Sequence, residues 1–167
     1  MSRHNRITLR PPELSDAELI LAWENDPKNQ IIAGEDWNGP YSLEDIEELI
    51  KSLENSKEQL RMMIELEGAC IGAVDAFNID REKKSAGIGI LIAEPSKRRK
   101  GYASQAIEQL QKQLQRSFGI RRFTTNIQSD NKGSIALFST LGYSKVEQSN
   151  VQILTNADYI QKFELRK

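Results

Sequence analysis

The sequence predicts one mixed α/β domain. Three observations carry that expectation: helical periodicity in the first third, short apolar and alternating runs through the middle, and renewed exchange of helix and strand signals towards the end. A chain of 167 residues suits a single domain with a sizeable core. With no internal repeat, low-complexity segment or linker, residues 1–167 are assigned to that one domain.

The elements follow in order. RITLRPP reads as a strand ended by Pro11 and Pro12, which cannot donate to a ladder. Ser15 and Glu18 have capping-box spacing at the head of SDAELILAWEN, where Leu19, Ala22 and Trp23 form the apolar stripe of a helix. PKNQIIAGEDWNGP reads as loop. A second helix runs from Ser42 through LEDIEELIKSL, with Leu43, Ile46, Leu49, Ile50 and Leu53 at helical spacing.

The period then changes. QLRMMIELEGACIGAVDAFNI reads as two strands joined by a tight turn at Glu67-Gly68. After the turn DREKKS, AGIGILIAEP is a strand with little alternation, expected to be covered on both faces. The strongest helix spans Tyr102 to Phe118, closed by Gly119. IRRFTTNIQ is a strand, SDNKGSIALFSTL a helix closed by Gly142, and YSKVEQ and ADYIQKFEL are final strands.

Composition narrows the function classes. Lys and Arg number 23 against 24 Asp and Glu, a net charge of -1, so neither a nucleic-acid coat nor a polybasic membrane binder is expected. No segment approaches the ~20 apolar residues that span a bilayer. GIGILIA is far too short, and MSRHNRITLRPPE has no apolar signal core. The single cysteine, Cys70, suits a reducing compartment and reads as a small apolar side chain in a buried strand. A soluble cytoplasmic protein without a metal is expected.

The segment SKRRKGYASQA concentrates the chemistry. Lys97, Arg98, Arg99 and Lys100 stand directly before Gly101 and the longest helix. Helix-start amides lack intrahelical partners and carry the positive end of the macrodipole. Gly101 admits close backbone approach, Ala103 and Ser104 keep the first turn clear, and Arg98, Arg99 and Lys100 offer charge-assisted contacts. The arrangement fits a phosphate or pyrophosphate; a solvated basic loop is the alternative. A P-loop would require Lys after the glycine, where Tyr102 stands, and GIGILI lacks the third glycine of a dinucleotide fingerprint.

Arg98-Arg99-Lys100-Gly101-Tyr102-Ala103 resembles the R/Q-x-x-G-x-G/A pyrophosphate loop of the GNAT acetyltransferase superfamily. NKGSIALFSTLGYSKV resembles its second signature, an asparagine-opened short helix ending in leucine-glycine-aromatic. The order of elements is similar over essentially the whole chain. ITLRPPELSDAELI and GILIAEPSKRRKGYASQA look most like the branch of ribosomal-protein N-terminal and spermidine acetyltransferases.

The resemblance implies a central, mostly antiparallel twisted sheet flanked by about four helices. It implies acetyl-CoA as donor and a primary amine as acceptor: a small metabolite, an amino sugar or a protein N-terminus. It leaves a homodimer open. Leu91, Ile92 and Ala93 would pair with the pantetheine arm, and Arg98, Arg99, Lys100, Gly101, Tyr102, Ala103 and Ser104 would hold the pyrophosphate. Asn131 and Phe138, seven residues apart, would lie along the cofactor.

Phe138 departs from the family pattern, because many relatives have there a tyrosine that protonates the departing thiolate. Ser139 points about 100° around the helix, and Tyr143 lies beyond its end, expected to pack in the next strand. The catalytic residue therefore stays open. Glu35 and Asp75 are carboxylates able to act through water, and Glu35 with Trp37 suits a cationic acceptor. Asp75 in AVDAF reads equally as an exposed or hydrogen-bonded strand carboxylate, and Trp37 equally as loop packing. The C-terminal stretch from Val146 is shorter and less charged than the branch's acidic hairpin, so polyamine specificity is not carried over. The competing class is a non-catalytic acyl-CoA-binding or regulatory module, consistent with Phe138.

Overall fold

The computed structural model describes residues 6–28, 39–147, 152–153 and 159–167. In chain order they form β1 (Thr8–Arg10), α1 (Ala17–Asn25), α2 (Leu43–Glu54), β2 (Leu60–Leu66), β3 (Ala69–Asp80), β4 (Ser85–Ile92), α3 (Tyr102–Phe118), β5 (Arg122–Gln128), α4 (Lys132–Thr140), β6 (Ser144–Lys145), β7 (Gln152–Ile153) and β8 (Tyr159–Arg166). They divide into two compact units, Met1–Arg10 with Glu58–Lys167, and Pro11–Lys57.

The larger unit holds the sheet, in the order β1-β2-β3-β4-β5-β8-β6 with β7 also pairing β8. Every pairing is antiparallel except β4 with β5. This mixed, mostly antiparallel architecture with four helices among the described residues matches the expected fold class. The hairpin between β2 and β3 turns at Glu67 (φ 52°) and Gly68 (φ 82°), a two-residue turn whose left-handed pair fits the strand twist.

One side of α3 closes the core. Ala106, Ile107, Leu110 and Leu114 are all fully buried, in one apolar cluster with Val74, Ala76, Ile88, Phe123 and Phe138. Each large side chain removed from water contributes about 1.5–3 kcal/mol. The same helix seals the sheet's edge. Gln105 Oε1 accepts from the Ile7 amide at 3.2 Å, and Gln109 Nε2 donates to the Ile7 carbonyl at 3.3 Å. Only Ala86, Gly87 and Ile88 of β4 are fully buried; Gly89 to Ile92 are half-buried, so its far half is less covered than its sequence suggests. Cys70 lies half-buried in β3, with Sγ 3.6 Å from the Gly72 carbonyl oxygen.

The smaller unit contains α1 and α2. Ser42 caps α2 as expected: its hydroxyl accepts from the Asp45 amide at 3.1 Å while Asp45 accepts from the Ser42 amide at 2.8 Å. The Ser15–Glu18 box does not form. A 3-10 turn over Leu14–Asp16 precedes α1, and the reciprocal pair is Glu13 with Asp16, whose Oδ2 accepts from the Glu13 amide at 2.7 Å. The buried face correspondingly falls on Ala17 and Ile20, while Leu19 stays exposed. Among the described residues no helix is long and apolar enough to cross a membrane.

Candidate donor-binding site

The sheet opens where the one parallel pair among the described residues begins to part. The β4–β5 register runs from Ser85↔Arg122 to Gly87↔Thr124 and stops. β4 keeps its other neighbour to Gly72↔Ile92, and β5 keeps β8 to Gln128↔Ile160. The two strands therefore diverge as a fork while each remains held from outside. At its apex the buried Thr125 hydroxyl donates to the Ile88 carbonyl at 2.9 Å.

Backbone alternation decides which groups face the fork. The Ala93 amide donates to Ile71 of β3 at 2.8 Å, whereas the Ile92 carbonyl accepts from Arg98 Nε at 2.9 Å. Edges alternate along an antiparallel ladder, so Ile88, Ile90 and Ile92 face the fork, and Gly89, Leu91 and Ala93 face β3. Of the trio Leu91, Ile92 and Ala93, only Ile92 turns its backbone to the opening. Ile90 joins it; strand parity anchored at Ala93 is the signal that identifies it.

Beyond β4, a 3-10 turn over Pro95–Lys97 leads into the basic loop. Arg99 (φ 60°) and Gly101 (φ 83°) both adopt left-handed backbone. That conformation costs an L-residue roughly 1–2 kcal/mol, and glycine removes the cost at the helix cap. No side chain caps α3, so the amides of Tyr102, Ala103 and Ser104 point out of the first turn beside exposed Arg98, Arg99 and Lys100. Tyr102 itself is 7% exposed and packs in the core, which leaves its backbone for a ligand. An open strand edge running into an uncapped helix start fits an extended ligand ending in phosphates.

The second signature folds as expected at its start, while its aromatic residues pack in the core. Asn131 caps α4, its Oδ1 accepting from the Ser134 amide at 3.1 Å. Phe138 is 2% exposed and packs edge-on against Tyr143, ring centroids 4.9 Å apart at 78°. Tyr143 stands just before β6, in the core, and its hydroxyl donates to Gln111 Oε1 at 2.5 Å. Burial pushes this phenol above its ordinary value and keeps it protonated. Neither that contact nor Thr125 is visible in the sequence, since both depend on partners 32 and 37 residues away.

Asp75 is not a free carboxylate. Arg61 Nε donates to its Oδ1 at 2.7 Å and Nη2 to its Oδ2 at 3.0 Å, a bidentate grip across β2 and β3. Glu35 and Trp37 lie outside the described residues. Among the described residues, no group of three or more His, Cys, Asp or Glu could hold a metal ion.

A family model described as an acetyltransferase (GNAT) domain matches residues 6–144. An N-acetyltransferase 9-like protein of Nematostella vectensis is 36% identical over 75 residues, covering 45% of this chain and 38% of its own length. The alpha/beta-tubulin-N-acetyltransferase 9 of Mus musculus is 34% identical over 86 residues, covering 51% of this chain and 36% of its own length. The chain thus spans well under half the length of these two curated relatives. The spermidine N-acetyltransferase of Vibrio cholerae, solved in complex with CoA and spermine, shares the fold with a TM-score of 0.83 at 20% identity, over 96% of this chain and 95% of that one.

Proposed function

The chain belongs to the GNAT acetyltransferase family, and we propose that it transfers an acetyl group from acetyl-CoA to a primary amine by direct attack. One observation carries the proposal: the open edge of β4 leads, through one 3-10 turn, into the Arg98–Gly101 loop and the uncapped start of α3. The pyrophosphate would lie on the amides of residues 102–104, and the pantetheine arm along Ile92 and Ile90. The thioester would then lie near the fork's apex, its carbonyl oxygen within reach of the Ile90 amide. Such a donor, aimed at developing negative charge, is worth several kcal/mol in the transition state.

The neutral amine nitrogen forms a bond to the thioester carbonyl carbon. The carbon–sulfur bond then breaks, and the amine's proton passes to water or a carboxylate. The CoA thiolate departs without a tyrosine: a thiol with a pKa near 8.5 is a tolerable leaving group at neutral pH. Arg61 already engages Asp75, so of the two carboxylates Glu35 is the better candidate to take the proton through water. A small metabolite, an amino sugar or a protein N-terminus each fits as acceptor. The family match extends across both units, which supports one catalytic domain over residues 1–167. A cytoplasmic setting is part of the proposal, consistent with an acetyl-CoA donor and a single cysteine, Cys70.

Phenylalanine rather than tyrosine at position 138 favours a second reading, a module that binds acyl-CoA without turnover. Incubation with acetyl-CoA and a panel of amines, following CoA release, separates the two. Release above hydrolysis with at least one amine is expected. Tight acetyl-CoA binding with no release for any amine would establish the module instead.

A further inference from the structure

We propose that Thr125 is a positioning residue for acyl transfer, pinning the fork's apex so that the Ile90 amide is the first open donor on the β4 edge. The inference rests on the proposed acetyltransferase function but concerns a residue outside both signature motifs. Its basis is the buried bond from Thr125 Oγ1 to the Ile88 carbonyl at 2.9 Å, one residue past the last parallel pair, Gly87↔Thr124.

In a continuing parallel ladder, a β5 backbone amide would take the Ile88 carbonyl, and the strands would stay together. Here a side-chain hydroxyl takes it. The carbonyl is satisfied in an apolar surround while β5 is left to turn away with β8. A buried carbonyl left without a donor is costly, so the side chain stabilises the split at this residue. The next fork-facing residue along β4 is Ile90. At ~3.3 Å per residue its amide lies about 7 Å from Ile88 towards the basic loop. Extending the parallel ladder past Ile88 would tie the Ile90 amide to β5, so the pin keeps that donor open for the reacting carbonyl.

Three variants test this: Thr125→Val, which keeps the shape and loses the donor, Thr125→Ser, which keeps the hydroxyl, and Thr125→Ala as a packing control. Thr125→Val is expected to lower kcat about tenfold, with little change in the affinity for CoA, whose phosphates bind away from the apex. Thr125→Ser should restore most of it, and Thr125→Ala should behave like Val. Amide exchange at Ile88 to Ile92 in the free protein reads the pin without turnover. It should quicken in Val and return towards wild type in Ser. Unchanged exchange in Val, or a kcat loss that Ser does not restore, overturns the proposal. A wild-type chain that releases no CoA with any amine overturns the acetyltransferase reading alone, since the exchange measurement still decides the pin.

Discussion

The Tyr143 hydroxyl donates to Gln111 Oε1 across 2.5 Å, joining the residue just before β6 to the middle of α3. Both side chains are buried, at 3% and 4% exposure, so each is the other's replacement for water. Tyr143→Phe keeps the ring packing on Phe138 and strands the glutamine oxygen. It should lower unfolding free energy by about 1–3 kcal/mol in a denaturant titration. A loss below about 0.5 kcal/mol would show that Gln111 finds another donor. Burial raises the phenol's folded pKa above its unfolded value near 10. The folded state therefore binds the extra proton, and this contribution is complete below pH ~10 and declines above it. The phenylalanine variant should lack that alkaline slope.

Gly101 combines φ 83° with open surroundings, for an added Cβ would meet no heavy atom within 4 Å. Its requirement is conformational in the free chain and steric only with ligand present. Gly101→Val is expected to weaken CoA binding tenfold or more, about 1.4 kcal/mol, measured by calorimetric titration. A folded variant with unchanged CoA affinity would remove the loop from the donor site.

Were the Phe138 ring to line the thiol channel, Phe138→Tyr would be tolerated and could raise turnover. At 2% exposure in the apolar cluster, an added hydroxyl would be taken from water, which changes that expectation. We expect a stability loss of about 1–3 kcal/mol and no gain in kcat. A rise in kcat would instead show that the para position reaches the departing sulfur.

At the acceptor end, Glu35→Ala and Trp37→Ala should raise the acceptor KM, with acetyl-CoA affinity unchanged, as charge attraction and a cation–π contact of ~0.5–2 kcal/mol are removed. Asp75→Asn should act differently. Its half-exposed pair with Arg61 is worth about 0–1 kcal/mol, and kcat should stay within a few-fold. A large kcat loss with a shifted pH profile would restore Asp75 as a base.

The helices whose ends carry a local signal were legible in the sequence. Ser42, Asn131, Gly101 and Gly119 mark their termini by capping chemistry that needs no distant partner. The basic loop was legible for the same reason. The fork was not, because it arises from a register between strands separated by all of α3. Phe138 illustrates a different limit: helical spacing puts it on one face with Asn131 but does not distinguish a ligand channel from the packed core in which the ring lies. At α1, the serine at the expected cap was displaced by a glutamate two residues earlier, because the chain enters through a 3-10 turn.

β8 fills the slot between β5 and β6, although it is synthesised after both. The edge of β5 that will receive Arg166 opposite Arg122 must wait through the synthesis of everything between them. Until then a nascent chain presents β5 with one side unpaired, and a chain halted before residue 159 would keep that side bare. Such an edge accepts any strand that arrives. Fidelity in the cell then becomes a race between the chain's own continuation and a neighbouring molecule, and interruption late in translation would convert a folding intermediate into a seed for aggregation.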